Sequence, residues 1–375
     1  MFSIKASPEL KDLVTFVPNK FEPLHNWYYY KEGFSRGLVN FFISRFGIAK
    51  ENLVLDPFCG VGTTLLACKQ AGLRAAGFDV SPLAVFVSQV KTANYNLESL
   101  EEAARHALKW KFERPRNLPS SPWLKRAFSK YALEDIFFYK EKITHIENPV
   151  ERNFLALGLM DSAIKCSYIT KDGAVVKIHK GAVAPVGKIF KYKIRRMLRD
   201  LRESKIENIE MLPEVGDARN LQLADGSIDF IITSPPYLNK IEYTNIYKTE
   251  YELFFDLPAT KLRAHIGDRV EEISDNLEIE EIKNLPIAQA YFSDMKKVLL
   301  ELKRVCKNGA KLAVVIGGGC FPDRAVLTDK IFARLAEQAG FSVKEILVAR
   351  NSWCTKNRTE KVGEIRESAV VLEKE

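Results

Sequence analysis

Ser234, Pro235, Pro236 and Tyr237 follow the apolar run Ile228-Asp229-Phe230-Ile231-Ile232. They set a hydroxyl, two prolines and an aromatic ring at what reads as the end of a buried strand. Each proline removes a backbone N–H, so the carbonyls here are acceptors with no competing donor nearby. An exocyclic amine needs such acceptors: a carbonyl and the Ser234 hydroxyl each accept an N–H bond, raise electron density on nitrogen and aim its lone pair at an electrophile. Tyr237 offers a face for stacking an extruded base. Taken alone, the string also reads as a Pro-rich turn closing a strand.

A second string, Asp56-Pro57-Phe58-Cys59-Gly60-Val61-Gly62-Thr63-Thr64, lies about 175 residues earlier and follows Leu53-Val54-Leu55. It reads as a Gly-rich turn between strand and helix, where Gly60 and Gly62 let the backbone approach a nucleotide-like cofactor. It is not a phosphate loop, because the Lys-Ser/Thr pair that would hold phosphates is missing. Asp56 at the strand end would repel a pyrophosphate and attract a cation. The ammonium and sulfonium of S-adenosylmethionine suit that carboxylate, so Asp56, Pro57, Phe58, Gly60, Gly62 and Thr63 are the expected cofactor turn.

Asp79 falls 17 residues beyond Gly62 at the end of the next strand-like run, placed to accept hydrogen bonds from ribose hydroxyls. Asp217, after a short strand and a glycine, is positioned by chain order to accept from an adenine amino group. His25 and Tyr28, beside Trp27, either wall the same cavity or belong to the core. Cys59 is not expected to act as a nucleophile, since amine methylation needs no covalent enzyme adduct.

The elements needed to hold these groups follow from periodicity. An amphipathic helix precedes Leu53, and Leu53–Leu55, Thr63–Ala71 and Arg74–Phe78 make a βαβ unit. Ser81–Lys91 reads as helix, and residues 99–205 as a long, mostly helical insertion with a turn at Lys171-Asp172-Gly173. Strand 228–233, an acidic loop-rich excursion over 256–286, helix 288–306, strand 310–317, helix 327–339 and final strands near 341–349 and 367–373 complete the chain. Alternating strands and helices predict an α/β class with a doubly wound, mostly parallel, Rossmann-like sheet and an antiparallel edge. The expected division is a first core part over 1–98, the basic insertion over 99–205 and a second core part over 206–375.

The formal charge is +8, but it is local: residues 101–205 hold 23 Lys and Arg against 12 Asp and Glu. The densest piece, Lys188–Arg199, interleaves aromatic rings with cations and suits phosphates and bases as well as it suits a solvated helix. Six cysteines without a CxxC pair, and no histidine at zinc-ligand spacing, lead us to expect reduced thiols and no metal. The N-terminus lacks the apolar core of a leader and no apolar run reaches membrane-spanning length, so a cytoplasmic protein is expected.

As a pair, the two strings resemble the S-adenosylmethionine-dependent amino-methyltransferases of DNA, with their DPF-G-G-T cofactor loop and (D/N/S)PP(Y/F) catalytic loop. Serine at 234 looks like the N4-cytosine branch, where adenine enzymes more often carry Asp or Asn. The resemblance covers residues 20–98 and 209–373. It implies catalysis by Ser234 to Tyr237, cofactor contacts at Asp56, Phe58, Gly60, Asp79 and Asp217, and a cofactor-binding segment around 25–34. It also implies double-stranded DNA as partner, with RNA as the alternative, and a paired restriction endonuclease as a further candidate. N6-adenine methylation, RNA amino-methylation and a non-catalytic nucleic-acid-binding protein are the competing readings. Many N4-cytosine enzymes place the catalytic loop first, so this chain is differently permuted. Target recognition is expected in the 99–205 insertion, the 256–286 excursion or a partner; the insertion's charge favours it, with Lys191, Lys193, Arg195, Arg196 and Arg199 as phosphate contacts.

Overall fold

A computed structural model describes residues 2–172, 175–238, 246–255, 266–267, 277–357 and 359–375. Most of the 256–286 excursion, and with it that alternative place for target recognition, lies outside the described residues, as does Gly173 of the expected turn.

Among the described residues, the strands in chain order are β1 (Ile4–Ala6), β2 (Leu53–Asp56), β3 (Arg74–Asp79), β4 (Ile169–Asp172), β5 (Val175–Ile178) and β6 (Leu212–Val215). They continue with β7 (Ile228–Thr233), β8 (Cys306–Gly317), β9 (Gly319–Cys320), β10 (Ala325–Val326), β11 (Phe341–Lys356) and β12 (Glu360–Lys374). Eight of them form one sheet in the order β1-β11-β12-β8-β7-β2-β3-β6. Every pairing in it is parallel except the two made by β12. This is the expected doubly wound sheet with an antiparallel strand near one edge.

Alternation along β8 shows how the sheet is buried on both faces. Leu312, Val314 and Ile316 join a core with helices Pro286–Val305 and Thr328–Gln338. Ala313 and Val315 point the other way, into a core with Leu38, Phe42 and Phe46 of α1 (Arg36–Phe46) and Leu65 and Cys68 of α2 (Thr63–Gln70). After β2 the chain winds through α2 to β3 on one side, whereas β7 lies on the other. The crevice between the carboxyl ends of β2 and β7 is thus the switch point at which open α/β sheets bind ligands.

The insertion is built from α4 (Leu97–Lys109), α5 (Pro122–Ala127), α6 (Lys130–Thr144), α7 (Pro149–Lys165) and α8 (Val186–Glu203), preceded by α3 (Pro82–Thr92) of the core. Side-chain caps start several of them: Ser81 accepts from Ala84 N–H, Asn96 from Ser99 N–H and Ser129 from Ala132 N–H. One part departs from the helical expectation, because β4 and β5 form an antiparallel hairpin around the anticipated turn. The β-branched runs Ile169-Thr170 and Val175-Val176 favour strand there. The insertion shares one continuous core with Val87 and Val90 of α3 and with Trp27, whose indole N–H donates to Asp200 of α8 at 3.0 Å.

Two expectations are corrected. The final strands are longer than anticipated and form a ribbon reaching Lys356 and Glu360. The cysteines are not all reduced: Cys320 and Cys354 form a disulfide, while Cys59, Cys68, Cys166 and Cys306 are free and buried. Extension of β11 beyond residue 349 is what brings Cys354 opposite the β8–β9 turn, a contact that sequence spacing did not reveal. No described helix is long and apolar enough to cross a membrane.

Candidate functional site

A cavity of about 480 Å³ opens at the switch point, within the roughly 300–1,000 Å³ common for small-molecule sites. Both chemistry-bearing strings line it, joined by Asp79, Asp217 and the 29–34 segment.

Asp56 ends β2 at the cavity floor, 1% exposed. Its Oδ1 accepts from the Thr233 hydroxyl at 2.6 Å and from Phe58 N–H at 3.2 Å, and its Oδ2 accepts from the Thr64 hydroxyl at 2.6 Å. One carboxylate thereby pins the end of β2, the start of α2 and the end of β7. Burial pushes its pKa up to about 6, against the opposing pull of those donors. Asp56 thus has a structural task that its sequence position did not disclose, in addition to placing negative charge beneath the cavity.

Asp79 closes the same turn. Its Oδ2 accepts from Gly60 N–H at 3.0 Å and its Oδ1 from Ser81 N–H at 2.9 Å, which fixes the Gly60 backbone against the end of β3. Gly62 has φ +77°, and a Cβ there would lie 2.2 Å from the Ser88 hydroxyl, so both backbone sign and space demand glycine. Pro57, Phe58, Gly60 and Thr63 line the cavity as expected, whereas Gly62 packs behind it on α3. Cys59 is buried, and burial raises its thiol pKa well above the ordinary value, which disfavours the thiolate that a nucleophile needs.

Ser234, Pro235, Pro236 and Tyr237 form the opposite wall. The Tyr237 ring packs against Gly317, where a Cβ would meet it at 2.4 Å. Its hydroxyl donates to Glu367 Oε1 at 2.5 Å, and Arg350 donates to Glu367 Oε2 at 2.5 Å. Tyr237 is therefore held as a fixed aromatic surface, tethered by two residues that sequence reading missed. They lie in the final hairpin, about 115–130 positions further on, and carry no local motif.

Three expectations shift. His25 and Tyr28 are buried behind the cavity. His25 donates to Gln70 at 3.2 Å and is driven down to about 3 by burial, and the Tyr28 hydroxyl donates to Glu250 at 2.8 Å. Tyr29, Tyr30 and Glu32 line the cavity instead. Tyr30 stacks on Tyr247 with ring centroids 5.2 Å apart, and Tyr247 donates to Glu32 at 2.6 Å. The Tyr28-Tyr29-Tyr30 run signalled an aromatic wall without saying which rings form it.

Asp217 reaches the cavity, but Arg219 grips both of its oxygens at 2.7–3.1 Å. Its remaining acceptor capacity, rather than a free carboxylate, is what a ligand would meet. Lys193 is 3% exposed, ion-paired with Asp161 at 2.8 Å and donating to the Trp27 carbonyl at 2.6 Å, so it is not a surface phosphate contact. The helical period turns 193 inward with Phe190 and Met197, while Arg195 and Arg199 are exposed and Lys191 and Arg196 are half-buried.

A family model described as DNA methylase, of the N6/N4 methyltransferase kind, matches residues 9–89. Type II methyltransferase M.BsoBI of Geobacillus stearothermophilus is 24% identical over 97% of this chain and 88% of its own length. Type II methyltransferase M.AvaI of Nostoc sp. is 27% identical over 90% of this chain and 83% of its own length. Type II methyltransferase M.MjaII of Methanocaldococcus jannaschii is 23% identical, with 90% and 78% covered. The first of these alignments runs nearly end to end, so it takes in the insertion as well as the sheet.

Proposed function

We propose that this chain is an S-adenosylmethionine-dependent DNA amino-methyltransferase, and that it methylates the exocyclic N4 amine of cytosine at a specific site, after extruding the base from the duplex. The observation that carries the choice of base is serine at 234, opening into the cavity beside the anchored Tyr237. A neutral hydroxyl and a donor-free run of carbonyls suit the two-hydrogen amine of a base that stacks on that ring.

The cavity fits the cofactor by chemistry: its turn keeps the backbone low at Gly60, and the carboxylates Asp56 and Asp79 set negative potential where a cation would lie. Asp56, Phe58, Gly60 and Asp79 would hold it, with Tyr30 and Tyr247 closing one side. S-adenosylmethionine, when bound, supplies an electrophilic methyl group on a sulfonium. Ser234 and the adjoining carbonyl accept the amine's hydrogens and orient its lone pair, and Tyr237 stacks the ring and offsets part of the few kcal/mol that unstacking costs.

The relatives' type II designation supports a role beside a cognate restriction endonuclease. Incubation with methyl-labelled S-adenosylmethionine and, separately, genomic DNA and total RNA, followed by nucleoside mass spectrometry, tests the reading. The expected product is N4-methylcytosine in DNA. N6-methyladenine would overturn the base, and label confined to RNA would overturn the substrate.

A further inference from the structure

β11 and β12 continue beyond the sheet. β12 pairs with β8 only from Glu373↔Lys311 to Glu367↔Gly317, whereas it stays paired with β11 out to Glu360↔Lys356. β11 runs in the same direction as β7 and β8, so residues 351–356 project from the carboxyl edge, the edge that carries the Asp56 and Ser234 turns. Six residues at about 3.3 Å each extend the ribbon roughly 20 Å past Arg350.

Its root is both braced and continuous with the cavity. Arg350 and Glu367 line the cavity and hold Tyr237. Cys354 is bonded to Cys320 of β9, and Ile365 and Gly363 sit close against Gly318 and Ala325. Beyond that bracing, Trp353 is 54% exposed with the Lys361 ammonium 4.3 Å from its ring centroid, and Lys356 is exposed nearby. A large exposed indole on a braced strand contributes little to the fold. Indole faces and ammonium groups together form the surface that nucleic acids bind, through stacking and phosphate contacts.

We propose that the β11–β12 ribbon is an arm that grips duplex DNA beside the extruded nucleotide. Trp353 packs on a base or sugar there, and Lys356 and Lys361 contact phosphates. The occupant follows from the ribbon's continuity with the wall that anchors Tyr237, and from the exposed indole–ammonium pair of Trp353 and Lys361 on the edge where the target of a polyanion must enter. This inference rests on the DNA methyltransferase reading.

The test is steady-state methylation of genomic DNA by the full chain, with DNA and S-adenosylmethionine varied separately. Trp353→Ala should lower kcat/KM for DNA about 5- to 100-fold, leave KM for S-adenosylmethionine and thermal unfolding unchanged, and be largely rescued by Trp353→Phe. Lys356→Ala with Lys361→Ala should flatten the salt dependence of binding to a fluorescein-labelled 30-base-pair duplex, by up to about 2 in log–log slope. Wild-type kcat/KM for DNA in Trp353→Ala, or an unchanged slope in the double lysine variant, overturns the arm while leaving the enzyme a DNA methyltransferase. A wild-type protein that methylates no DNA overturns both readings.

Discussion

Asp56→Asn separates the two tasks of the carboxylate at the end of β2. In the folded protein burial lifts this group from an ordinary 3.8 to about 6. Its contribution to stability is therefore full below about pH 4 and lost as pH rises through about 6. A shift of about two pH units at about 1.4 kcal/mol each makes the ionised group cost the fold roughly 3 kcal/mol at pH 8. Asparagine removes the titration and keeps the contacts: its Oδ1 still accepts from Thr233 and Phe58. Its amide N–H would donate to the Thr64 hydroxyl, whose own proton has a second acceptor in the Ile232 carbonyl at 3.4 Å. In urea unfolding of the cofactor-free protein, the variant should gain on the wild type as pH rises, by roughly 1–2 kcal/mol between pH 5 and pH 8. Isothermal titration at pH 8 should show affinity for S-adenosylmethionine reduced about tenfold, about 1.4 kcal/mol, through loss of negative charge under the cavity. A stability difference that is flat across this range, or that shrinks with rising pH, would falsify the claim that buried ionisation of Asp56 opposes folding.

Ser234→Ala should cut kcat by about 100-fold or more while S-adenosylmethionine affinity stays at the wild-type value; a parallel loss of affinity would show that Ser234 shapes the cofactor site instead. Gly62→Ala adds a left-handed alanine and a collision with Ser88, and chemical denaturation should register a loss of about 2–5 kcal/mol, with a loss under 1 kcal/mol counting against the geometry described. Lys193→Met should destabilise by about 1–3 kcal/mol, because the Trp27 carbonyl loses its donor and Asp161 keeps only the half-exposed Lys165, without altering the salt slope of DNA binding. Arg195→Ala with Arg199→Ala should do the reverse, reducing that slope by up to about 2. The opposite pattern would return Lys193 to the nucleic-acid surface.

What the sequence disclosed was what local pattern encodes. β2, α2 and β3 were readable because a short apolar run, a Gly-rich turn and a returning apolar run occupy consecutive residues. The Ser234–Tyr237 string was readable because two prolines directly after a strand cannot continue a ladder. Lys193 was misassigned because composition marks a basic stretch without saying which residues the helical period turns inward. Arg350 and Glu367 were missed because their roles exist only through register: β12 must pair with β8 at Gly317 before Glu367 can meet the Tyr237 hydroxyl. The disulfide was missed for the same reason, since 34 residues and a strand of unforeseen length separate its halves.

Charge is partitioned in a way that the reaction explains. Among the described residues lining the cavity, Glu32, Asp56, Asp79, Asp217 and Glu367 carry negative charge against Lys31 and Arg350. Arg350 and Glu367 neutralise each other and Arg219 offsets Asp217, which leaves Glu32, Asp56 and Asp79 against Lys31, so the wall is acidic overall. Such a wall holds a sulfonium and an ammonium well and repels phosphate, which a site for a polyanionic substrate can tolerate only if attraction is supplied elsewhere. The insertion's excess of cations, and Lys356 and Lys361 on the ribbon, lie outside that wall. Under the proposed function, the backbone of the duplex would stay on basic surfaces while one base, which carries no formal charge, would cross into the acidic cavity. Raising ionic strength should therefore weaken DNA binding steeply and leave the neutral step inside the cavity almost untouched, so that kcat at saturating DNA stays flat while KM for DNA climbs.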